Sequence, residues 1–242
     1  MKKTIVITGA SRGIGKAIAI ELAGKGTNIV INCVNNVDKL NEVRSIIEEK
    51  GSVCETFIGD MGNYSDVQKM FDMCLQRFSQ VDVLINNAGI SVVGLFQDMG
   101  EDEWHRICNT NIDSVFNCCH FAVKDMMKRH CGKIINISSV WGLYGASCEV
   151  AYSATKGAVN SFTKALAKEL APSGIQVNAV ACGAIDTEMN GHLSDDDKAS
   201  LAEEIPAGRF GSPQEVAKLV KSLSGMNSYL TGQIITLDGG WI

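Results

Sequence analysis

The sequence predicts an α/β fold in which a parallel β-sheet carries helices on both of its faces. Short runs rich in β-branched residues alternate with longer segments of helical periodicity. The strand-like runs are almost continuously apolar, which is typical of parallel strands that are buried on both faces. The chain has 242 residues and only three prolines, which suits one domain over residues 1–242.

Seven strands and six helices account for this alternation. Right-handed crossovers between parallel strands produce a doubly wound sheet. The predicted strands are 4–8, 28–32, 53–58, 81–85, 133–138, 175–180 and 233–237, and the predicted helices are 14–25, 37–50, 65–79, 101–129, 152–171 and 213–224.

The first strand ends in a glycine-rich turn that leads directly into the first helix. Glycines allow a tight turn and a close approach of the backbone, and the free N–H groups of a helix N-terminus attract phosphate. A purely structural turn is the competing interpretation. The residues predicted to bind a dinucleotide here are Gly9, Ser11, Arg12, Gly13, Ile14 and Gly15.

The end of the second strand indicates which nicotinamide cofactor is used. Sites that prefer NAD carry an acidic residue there for the ribose hydroxyls, whereas this strand closes with Asn32 and no carboxylate. Arg12 can face a 2′-phosphate, so NADPH is favoured over NADH. An ordinary surface arginine is the alternative interpretation.

Two further strand ends contribute to the predicted cofactor site. Asp60 and Met61 follow the third strand, where an acceptor side chain and a backbone N–H can hold an adenine edge. A helix cap is the alternative role for Asp60. Asn87, Ala88 and Gly89 follow the fourth strand, and their small side chains allow a nucleotide to lie against the backbone.

Tyr152 and Lys156 are four residues apart on a predicted helix, so their side chains share one face. A nearby ammonium favours the ionised phenol, and a tyrosine poised nearer neutrality can exchange a proton with a carbonyl or alcohol oxygen. Ser139 lies thirteen residues before Tyr152. Asn111 falls in the middle of the predicted helix 101–129, where asparagine is mildly unfavourable, which suggests a functional or packing role.

These residues together resemble the short-chain dehydrogenase/reductase family, and the resemblance spans essentially the whole chain. It implies a Rossmann-like sheet with strand order 3-2-1-4-5-6-7 and a catalytic tetrad. In the implied tetrad Ser139 binds the substrate carbonyl oxygen and Tyr152 protonates it. Lys156 binds the nicotinamide ribose and lowers the tyrosine pKa, while Asn111 holds a water. The resemblance also implies cofactor contacts at Tyr152, Lys156, Gly183, Ile185 and Thr187.

Within the family, the chain is similar to the 3-oxoacyl-(acyl-carrier-protein) reductases of fatty acid biosynthesis. This similarity implies a carrier-bound ketone as substrate and acyl carrier protein as a partner. Those reductases dock the acidic carrier through two arginines, and His130 and Ser173 stand at the matching positions. The cations that could replace them are Lys124, Lys128, Arg129 and Lys133, although a solvated basic helix end is the alternative.

A second subfamily also resembles this chain. Segments 141–150 and 171–174 look like those of the elongation factor P 5-aminopentanone reductases, which reduce a ketone on a modified lysine of elongation factor P. Glu149 stands where the acyl reductases commonly carry glutamine, and a carboxylate beside the pocket would attract an amine. The alternative is an N-terminal helix carboxylate favoured by the helix dipole. The candidate substrate contacts are Ser139, Trp141 and Glu149.

Two other functions stay open. A steroid or sugar alcohol dehydrogenase would run the same chemistry in the oxidative direction. A regulator that senses NADPH without catalysis belongs to a different class of protein, and the complete tetrad argues against it because a regulator has no need of both Tyr152 and Lys156.

Residues 183–212 interrupt the alternation after the sixth strand, where a substrate lid would lie. A solvated loop with a short helix capped by Ser194 is the alternative interpretation. Cys182, just before this segment, stands where the family usually has proline.

The composition limits the possible partners and location. A net charge of −5 without a basic stripe argues against nucleic acid as a partner. The nine cysteines form no Cys-x-x-Cys pair, so we interpret them as reduced thiols of a cytoplasmic protein. The histidines lack metal-ligand spacing, and no apolar stretch approaches the ~20 residues that span a membrane. The family resemblance further implies a homotetramer packed through helices 101–129 and 152–171.

Overall fold

The computed structural model of the protein describes residues 2–191, 193–225 and 229–242. At its centre lies a seven-stranded sheet in the order β3-β2-β1-β4-β5-β6-β7, and every neighbouring pair is parallel. This confirms the predicted fold class and strand order. The strands are β1 (Lys3–Ile7), β2 (Thr27–Cys33), β3 (Val53–Ile58), β4 (Val83–Asn86), β5 (Gly132–Ser139), β6 (Ile175–Cys182) and β7 (Ile234–Leu237).

The helices match the predicted ones, with one interruption and two additions. The predicted helix 101–129 is two α-helices joined by a π-helical turn at Asn109–Asp113. Helices α6 and α8 are additional. The α-helices are α1 (Gly13–Leu22), α2 (Val37–Glu49), α3 (Tyr64–Phe78), α4 (Glu101–Cys108), α5 (Ser114–Arg129), α6 (Trp141–Tyr144), α7 (Val150–Leu170), α8 (Asp195–Glu204) and α9 (Pro213–Gly225).

Each face of the sheet has its own apolar core. Successive side chains of a strand point to opposite faces, so Ile5 and Ile7 pack on one side and Val6 on the other. The first core also includes residues of α1, α2 and α9, and the second includes residues of α3, α5 and α7. Burial on both faces explains why the strands are continuously apolar in sequence.

The chain reverses its direction of travel across the sheet at β1. This strand pairs with β2 on one side and with β4 on the other, with Ile7 opposite both Ile31 and Ile85. The loops that leave β1 and β4 therefore diverge and open a crevice at the carboxyl ends of the strands. Ligands of doubly wound proteins bind at such a switch point.

The segment between β6 and α9 leaves the sheet and returns to the same place. Ile185 forms a β-bridge with Gly211, and the Gly211 N–H donates to the carbonyl oxygen of Ala184 at 2.9 Å. Within this segment Ser194 caps α8: its hydroxyl accepts from the Asp197 N–H, and the Asp197 carboxylate accepts from the Ser194 N–H. The short helix capped by Ser194 is thus present.

The described part of the chain contains neither a membrane-spanning helix nor a metal-binding cluster. None of its helices is both long and apolar enough to cross a membrane. Within the same residues, no cluster of His, Cys, Asp or Glu has the arrangement of a metal site; His192 lies outside them. All nine cysteines are free thiols.

Candidate active site

The glycine-rich turn is packed so tightly that two of its glycines cannot be replaced. Gly9 has a φ of +64°, and a Cβ there would lie 2.9 Å from the Cα of Ala88. A Cβ on Gly15 would collide with the carbonyl oxygen of Gly9. The turn therefore fixes the first turn of α1 against the end of β4, which only glycine at these positions allows.

Asn87 holds this turn in place from the fourth strand. Its Nδ2 donates to the carbonyl oxygens of Thr8 and Gly9 at 3.0 and 2.9 Å. In return, the Thr8 hydroxyl accepts from the N–H groups of Asn87 and Ala88, both at 3.0 Å. Asn87 thus acts as a brace at the switch point, beneath the place where a dinucleotide would lie.

The N-terminus of α1 fits the pyrophosphate of a dinucleotide. No side chain caps this helix, and its first turn contains no acidic residue. The first N–H groups of a helix have no intrahelical acceptor and carry a positive partial charge. These donors, together with the Arg12 guanidinium beside them, suit a phosphate ligand.

Asn32 is a structural brace. Its side chain is 1% exposed. The Oδ1 accepts from the Gly9 N–H at 3.4 Å, and the Nδ2 donates to the carbonyl oxygens of Cys33, Phe57 and Gly59. The side chain of Asn32, one of the predicted cofactor-binding residues, therefore makes its hydrogen bonds within the protein.

Asp60 lies at the carboxyl end of the third strand but does not cap the following helix. The N-cap of α3 is Asn63, whose Oδ1 accepts from the N–H groups of Ser65 and Asp66. Asp60 instead accepts from the Gly62 N–H at 2.9 Å and from the Asn109 side chain at 3.2 Å. The next side chain, Met61, is buried in the core, which leaves only its backbone for an adenine.

The side chains of Ser139, Tyr152 and Lys156 meet at the carboxyl end of β5. The Ser139 hydroxyl lies close enough to the Tyr152 hydroxyl to favour the ionised phenol, which opposes the effect of burial on the pKa of Tyr152. The Lys156 Nζ lies 5.6 Å from the centre of the Tyr152 ring and donates to the carbonyl oxygen of Ile137 at 2.9 Å. The neighbouring Ser138 points away and donates to the carbonyl oxygen of Lys156 at 3.3 Å.

Asn111 reaches this group because of the π-helical turn. Its Oδ1 accepts from the Ile90 N–H at 2.8 Å, and its Nδ2 donates to the Ile90 carbonyl oxygen at 2.9 Å and to the Thr155 hydroxyl at 3.1 Å. A Cβ on Gly89 would be 3.4 Å from both the Asn111 Oδ1 and the Lys156 Nζ. The Asn111 amide and the Lys156 ammonium therefore both lie beside Gly89. Single π turns inside helices are frequent at functional sites.

Burial shifts both ionisable groups of the site toward their neutral forms. It raises the pKa of Tyr152, and the nearby Ser139 hydroxyl only partly opposes this shift. It also lowers the pKa of Lys156 to about 8. The expectation from helix spacing, a tyrosine pKa lowered by Lys156, is therefore not met by the protein alone, because desolvation of the phenolate is the larger effect. Tyr152 is a neutral phenol at physiological pH.

Two side-chain pairs lie beside Ser139 and Tyr152. The Trp141 N–H donates to the Ser139 hydroxyl at 3.1 Å, and the Trp141 ring packs edge-on against Trp241, with ring centres 4.9 Å apart. Glu149, the residue before α7, accepts a short hydrogen bond from the Ser91 hydroxyl. Both pairs join the loops after β4, β5 and β7 at the same edge of the sheet.

Three predicted cofactor contacts follow β6: two of them are held by neighbouring segments, and the third approaches the glycine-rich turn. Gly183 donates its N–H to the Leu237 carbonyl oxygen at 3.0 Å, and Ile185 is buried against Gly211. The Thr187 side chain approaches the glycine-rich turn: its Cγ2 is 3.6 Å from where a Cβ on Gly13 would lie. The segment thus comes back over the glycine-rich turn.

The sequence interpretation missed several residues that complete this site. They are brought in by contacts between distant segments, and only Lys39, a basic residue just after β2, carries a signal of its own in sequence. The missed residues are Lys39, Ser91, Thr155, Glu188 and Trp241.

A parallel doubly wound sheet, a glycine-rich turn at its switch point and a buried Ser-Tyr-Lys group define a class of nicotinamide-dependent oxidoreductases. A family model described as "short chain dehydrogenase" matches residues 3–198, which is most of the chain. The protein belongs to the short-chain dehydrogenase/reductase family and is an oxidoreductase, as predicted.

Curated relatives are similar over their full length. The chain is 40% identical to the 3-oxoacyl-[acyl-carrier-protein] reductase FabG of Staphylococcus epidermidis, and the alignment spans 99% of each protein. It is also 40% identical to FabG of Staphylococcus aureus, over 99% of this chain and 98% of the relative. FabG of Chlamydia trachomatis serovar D is 37% identical, over 99% and 97%.

Proposed function

We propose that this enzyme uses NADPH to reduce a ketone to a secondary alcohol, with 3-oxoacyl thioesters on acyl carrier protein as its substrates. The observation that carries the proposal is the meeting of three side chains: the Ser139 hydroxyl acts on the Tyr152 phenol, and the Lys156 ammonium lies 5.6 Å from the centre of the Tyr152 ring. The full-length similarity to FabG proteins supports the substrate class.

Each residue has one task in this reaction. Ser139 donates a hydrogen bond to the substrate carbonyl oxygen and so orients it toward Tyr152. When bound, the reduced nicotinamide supplies a hydride to the carbonyl carbon. Tyr152 gives its proton to the carbonyl oxygen, so that hydride and proton together convert the ketone to the alcohol. A phenol whose pKa is raised by burial is held in the proton-donating form that this direction requires.

Lys156 and Asn111 prepare that proton transfer. The ammonium carries a positive charge next to the phenol, which favours the tyrosinate left behind after proton transfer. The same ammonium would hold the hydroxyls of the nicotinamide ribose. Asn111 keeps the loop at Ile90 against α7 through both N–H groups of its amide, so a water through which Tyr152 is reprotonated would be held by donating to an oxygen of Asn111.

NADPH is proposed over NADH because of the charges at the end of β2. Arg12 and Lys39 lie there, and β2 closes with Asn32 where sites for NAD have a carboxylate. Two cations are suited to a 2′-phosphate. Michaelis constants measured with both cofactors test this choice, and a marked preference for NADH would overturn it.

The first test of the proposed reaction is Tyr152→Phe, which removes the proton donor and keeps the ring. We expect turnover of acetoacetyl thioesters to fall by about two to four orders of magnitude, while the dissociation constant for NADPH changes little. Tyr144→Phe on α6 is the matched control and keeps full activity, because Tyr144 is 64% exposed. Undiminished turnover in Tyr152→Phe would overturn the mechanism.

A ketone that carries an amine, as in the elongation factor P 5-aminopentanone reductases, is the second candidate substrate. Glu149 supports it, because Ser91 orients this carboxylate one helical turn from Tyr152. The contacts of Arg129, the last residue of α5, also support it. Arg129 is bound to Asp82, Asp125 and the Val81 carbonyl oxygen. Arg129 is therefore not available to dock an acidic carrier protein.

Glu149→Gln separates the two substrate classes. The probes are 5-(dimethylamino)pentan-2-one, whose tertiary amine cannot condense with its own ketone, and its uncharged isostere 6-methylheptan-2-one. If an ammonium is recognised, the substitution lowers kcat/KM for the charged ketone about tenfold and leaves the isostere and acetoacetyl thioesters unchanged. Equal effects on all three probes would remove Glu149 from substrate choice and leave the thioester proposal standing.

Two structural roles belong to the same proposal. The segment 183–212 acts as a lid over the substrate within a single catalytic domain. The protein assembles as a homotetramer through α5 and α7, which present the exposed side chains of Phe116 on α5 and Ala154 and Ala158 on α7.

A further inference from the structure

Glu188 lies between two cations of the proposed cofactor site. Its Oε2 is 2.9 Å from the Arg12 Nη1, and its Oε1 is 3.0 Å from the Lys39 Nζ. Arg12 belongs to the glycine-rich turn and Lys39 to the first turn of α2, whereas Glu188 belongs to the segment after β6. One carboxylate thus ties together three parts of the chain that are far apart in sequence.

This ion-paired group lies where a phosphate would be expected. Thr187, the neighbour of Glu188, is the residue whose side chain approaches Gly13 at the start of α1. Among the residues that the structure describes, Glu188 is the only carboxylate that forms an ion pair with Arg12 or Lys39. Hydrogen bonds from Lys39 and Arg12 lower the pKa of Glu188, so it is ionised at neutral pH.

We propose that Glu188 and the 2′-phosphate of NADPH compete for Arg12 and Lys39, so that binding of NADPH releases the segment at Glu188 from the glycine-rich turn. NADH, which lacks this phosphate, leaves the ion pairs intact. The proposal rests on the proposed use of NADPH and adds two residues to it: Lys39 as a second ligand of the phosphate, and Glu188 as its internal competitor.

The competition has a reciprocal consequence. If the phosphate displaces Glu188, then Glu188 weakens the binding of the phosphate by the same factor, because the two events are thermodynamically linked. The side chains of Arg12, Lys39 and Glu188 are 56%, 50% and 52% exposed. Half-exposed ion pairs are weak, so the factor is expected to be small, about threefold to tenfold.

The test measures binding of adenosine 2′,5′-bisphosphate and of AMP, which lacks only the 2′-phosphate, by titration calorimetry at one ionic strength. In Glu188→Gln we expect the bisphosphate to bind about threefold to tenfold more tightly than in the wild type, and AMP to bind unchanged. In Lys39→Met the bisphosphate binds more weakly and AMP again binds unchanged. Glu204→Gln, which removes the same charge from α8, is the matched control and changes neither affinity.

Hydrogen exchange provides a second readout that does not depend on activity. Relative to the unliganded wild type, the bisphosphate should speed exchange of the backbone amides of residues 186–191 in the wild type, whereas AMP should not. Glu188→Gln should show the faster exchange without any ligand. Exchange that is equally slow in all four samples would overturn the release of this segment.

The preference for NADPH and the competition by Glu188 are overturned by different results. If the wild type binds the bisphosphate no more tightly than AMP, the NADPH preference itself is wrong. If the wild type prefers the bisphosphate but Glu188→Gln binds it no more tightly, the preference stands and the competition is overturned.

Discussion

Lys156 carries its charge in an environment that disfavours charge. Its side chain is 4% exposed, and its ammonium donates to the carbonyl oxygen of Ile137. Burial lowers the pKa of this lysine from 10.5 to about 8. This proposed catalytic group is therefore held at some cost in stability, as is common for perturbed ionisable groups at functional sites.

The sign of this cost gives a prediction for Lys156→Met. Below about pH 8 Lys156 is protonated in both the folded and the unfolded state, and the folded state holds a buried charge. Between about pH 8 and 10.5 the unfolded chain binds more protons than the folded one, so the free energy of unfolding rises with pH. The free energy of unfolding of Lys156→Met should therefore exceed that of the wild type at pH 7, by about 3 kcal/mol at most. This difference in the free energy of unfolding should shrink steadily as the pH approaches 10.

Urea unfolding at several pH values measures this difference. Lys164→Met, on the exposed side of the same helix, is the control and should follow the wild type at every pH. A difference between Lys156→Met and the wild type that does not change with pH would contradict the assigned cause, because the hydrogen bond to Ile137 alone has no such dependence.

The π-helical turn is the element that gives Asn111 its position. An extra residue in one turn directs the Asn111 amide at Ile90 and Thr155, where it makes three hydrogen bonds. Asn111 has no exposed surface. The turn therefore links α5, α7 and the loop after β4 through one side chain.

Asn111→Leu should destabilise the protein by about 2–4 kcal/mol, because the N–H and carbonyl groups of Ile90 lose their partners. Its kcat should also fall, since the loop at Ile90 borders the proposed site. The measurements are urea unfolding and turnover with saturating NADPH. Asn41→Leu on the exposed face of α2 is the control. A stable, fully active Asn111→Leu would show that the turn has neither role.

Elements differ in how well the sequence predicts them. The strands were predicted to within a few residues, because their apolar runs have no competing explanation. The break at Asn109–Asp113 was not predicted, since the apolar period of helix 101–129 continues through it. Asp60 was weighed as a helix cap, yet Asn63, which satisfies two N–H groups, caps α3.

The candidate site was predictable where its residues carry their chemistry within one segment. Ser139, Tyr152 and Lys156 belong to β5 and α7 and could be read from spacing. The Glu149–Ser91 pair joins residues 58 positions apart, and the Glu188–Arg12 pair joins residues 176 positions apart. No local pattern encodes such contacts, because they depend on how the loops at one sheet edge pack together.

At the scale of the whole molecule, one face carries a cluster of aromatic side chains on α3 and α5. Phe116 and Tyr64 are 49% and 44% exposed. The ring of His120 lies 5.7 Å from each of them, and Tyr64 packs against Phe121 at 4.9 Å. An exposed aromatic cluster of this kind marks an interaction surface, and it borders the helices through which the proposed homotetramer would pack.

Phe116→Asp should therefore reduce the assembled mass, because a carboxylate at a buried apolar contact is unfavourable. Light scattering coupled to size-exclusion chromatography measures the mass. Val37→Asp is the matched control: Val37 is 42% exposed and begins α2, on the opposite side of the sheet, so the same charge should leave assembly unchanged. An unchanged mass for Phe116→Asp would move the interface away from α5.

The packing of Trp141 against Trp241 has a practical consequence for experiments. Two indole rings with centres 4.9 Å apart and planes inclined by 62° are close enough for their strong electronic transitions to couple, and such coupling produces a distinctive far-ultraviolet circular dichroism band. One ring is two residues from Ser139 and the other is next to the last residue of the chain. The loss or change of that band would report displacement of the C-terminal residues during turnover, without any attached dye. The pair of Trp141 and Trp241 thus serves as an intrinsic spectroscopic probe.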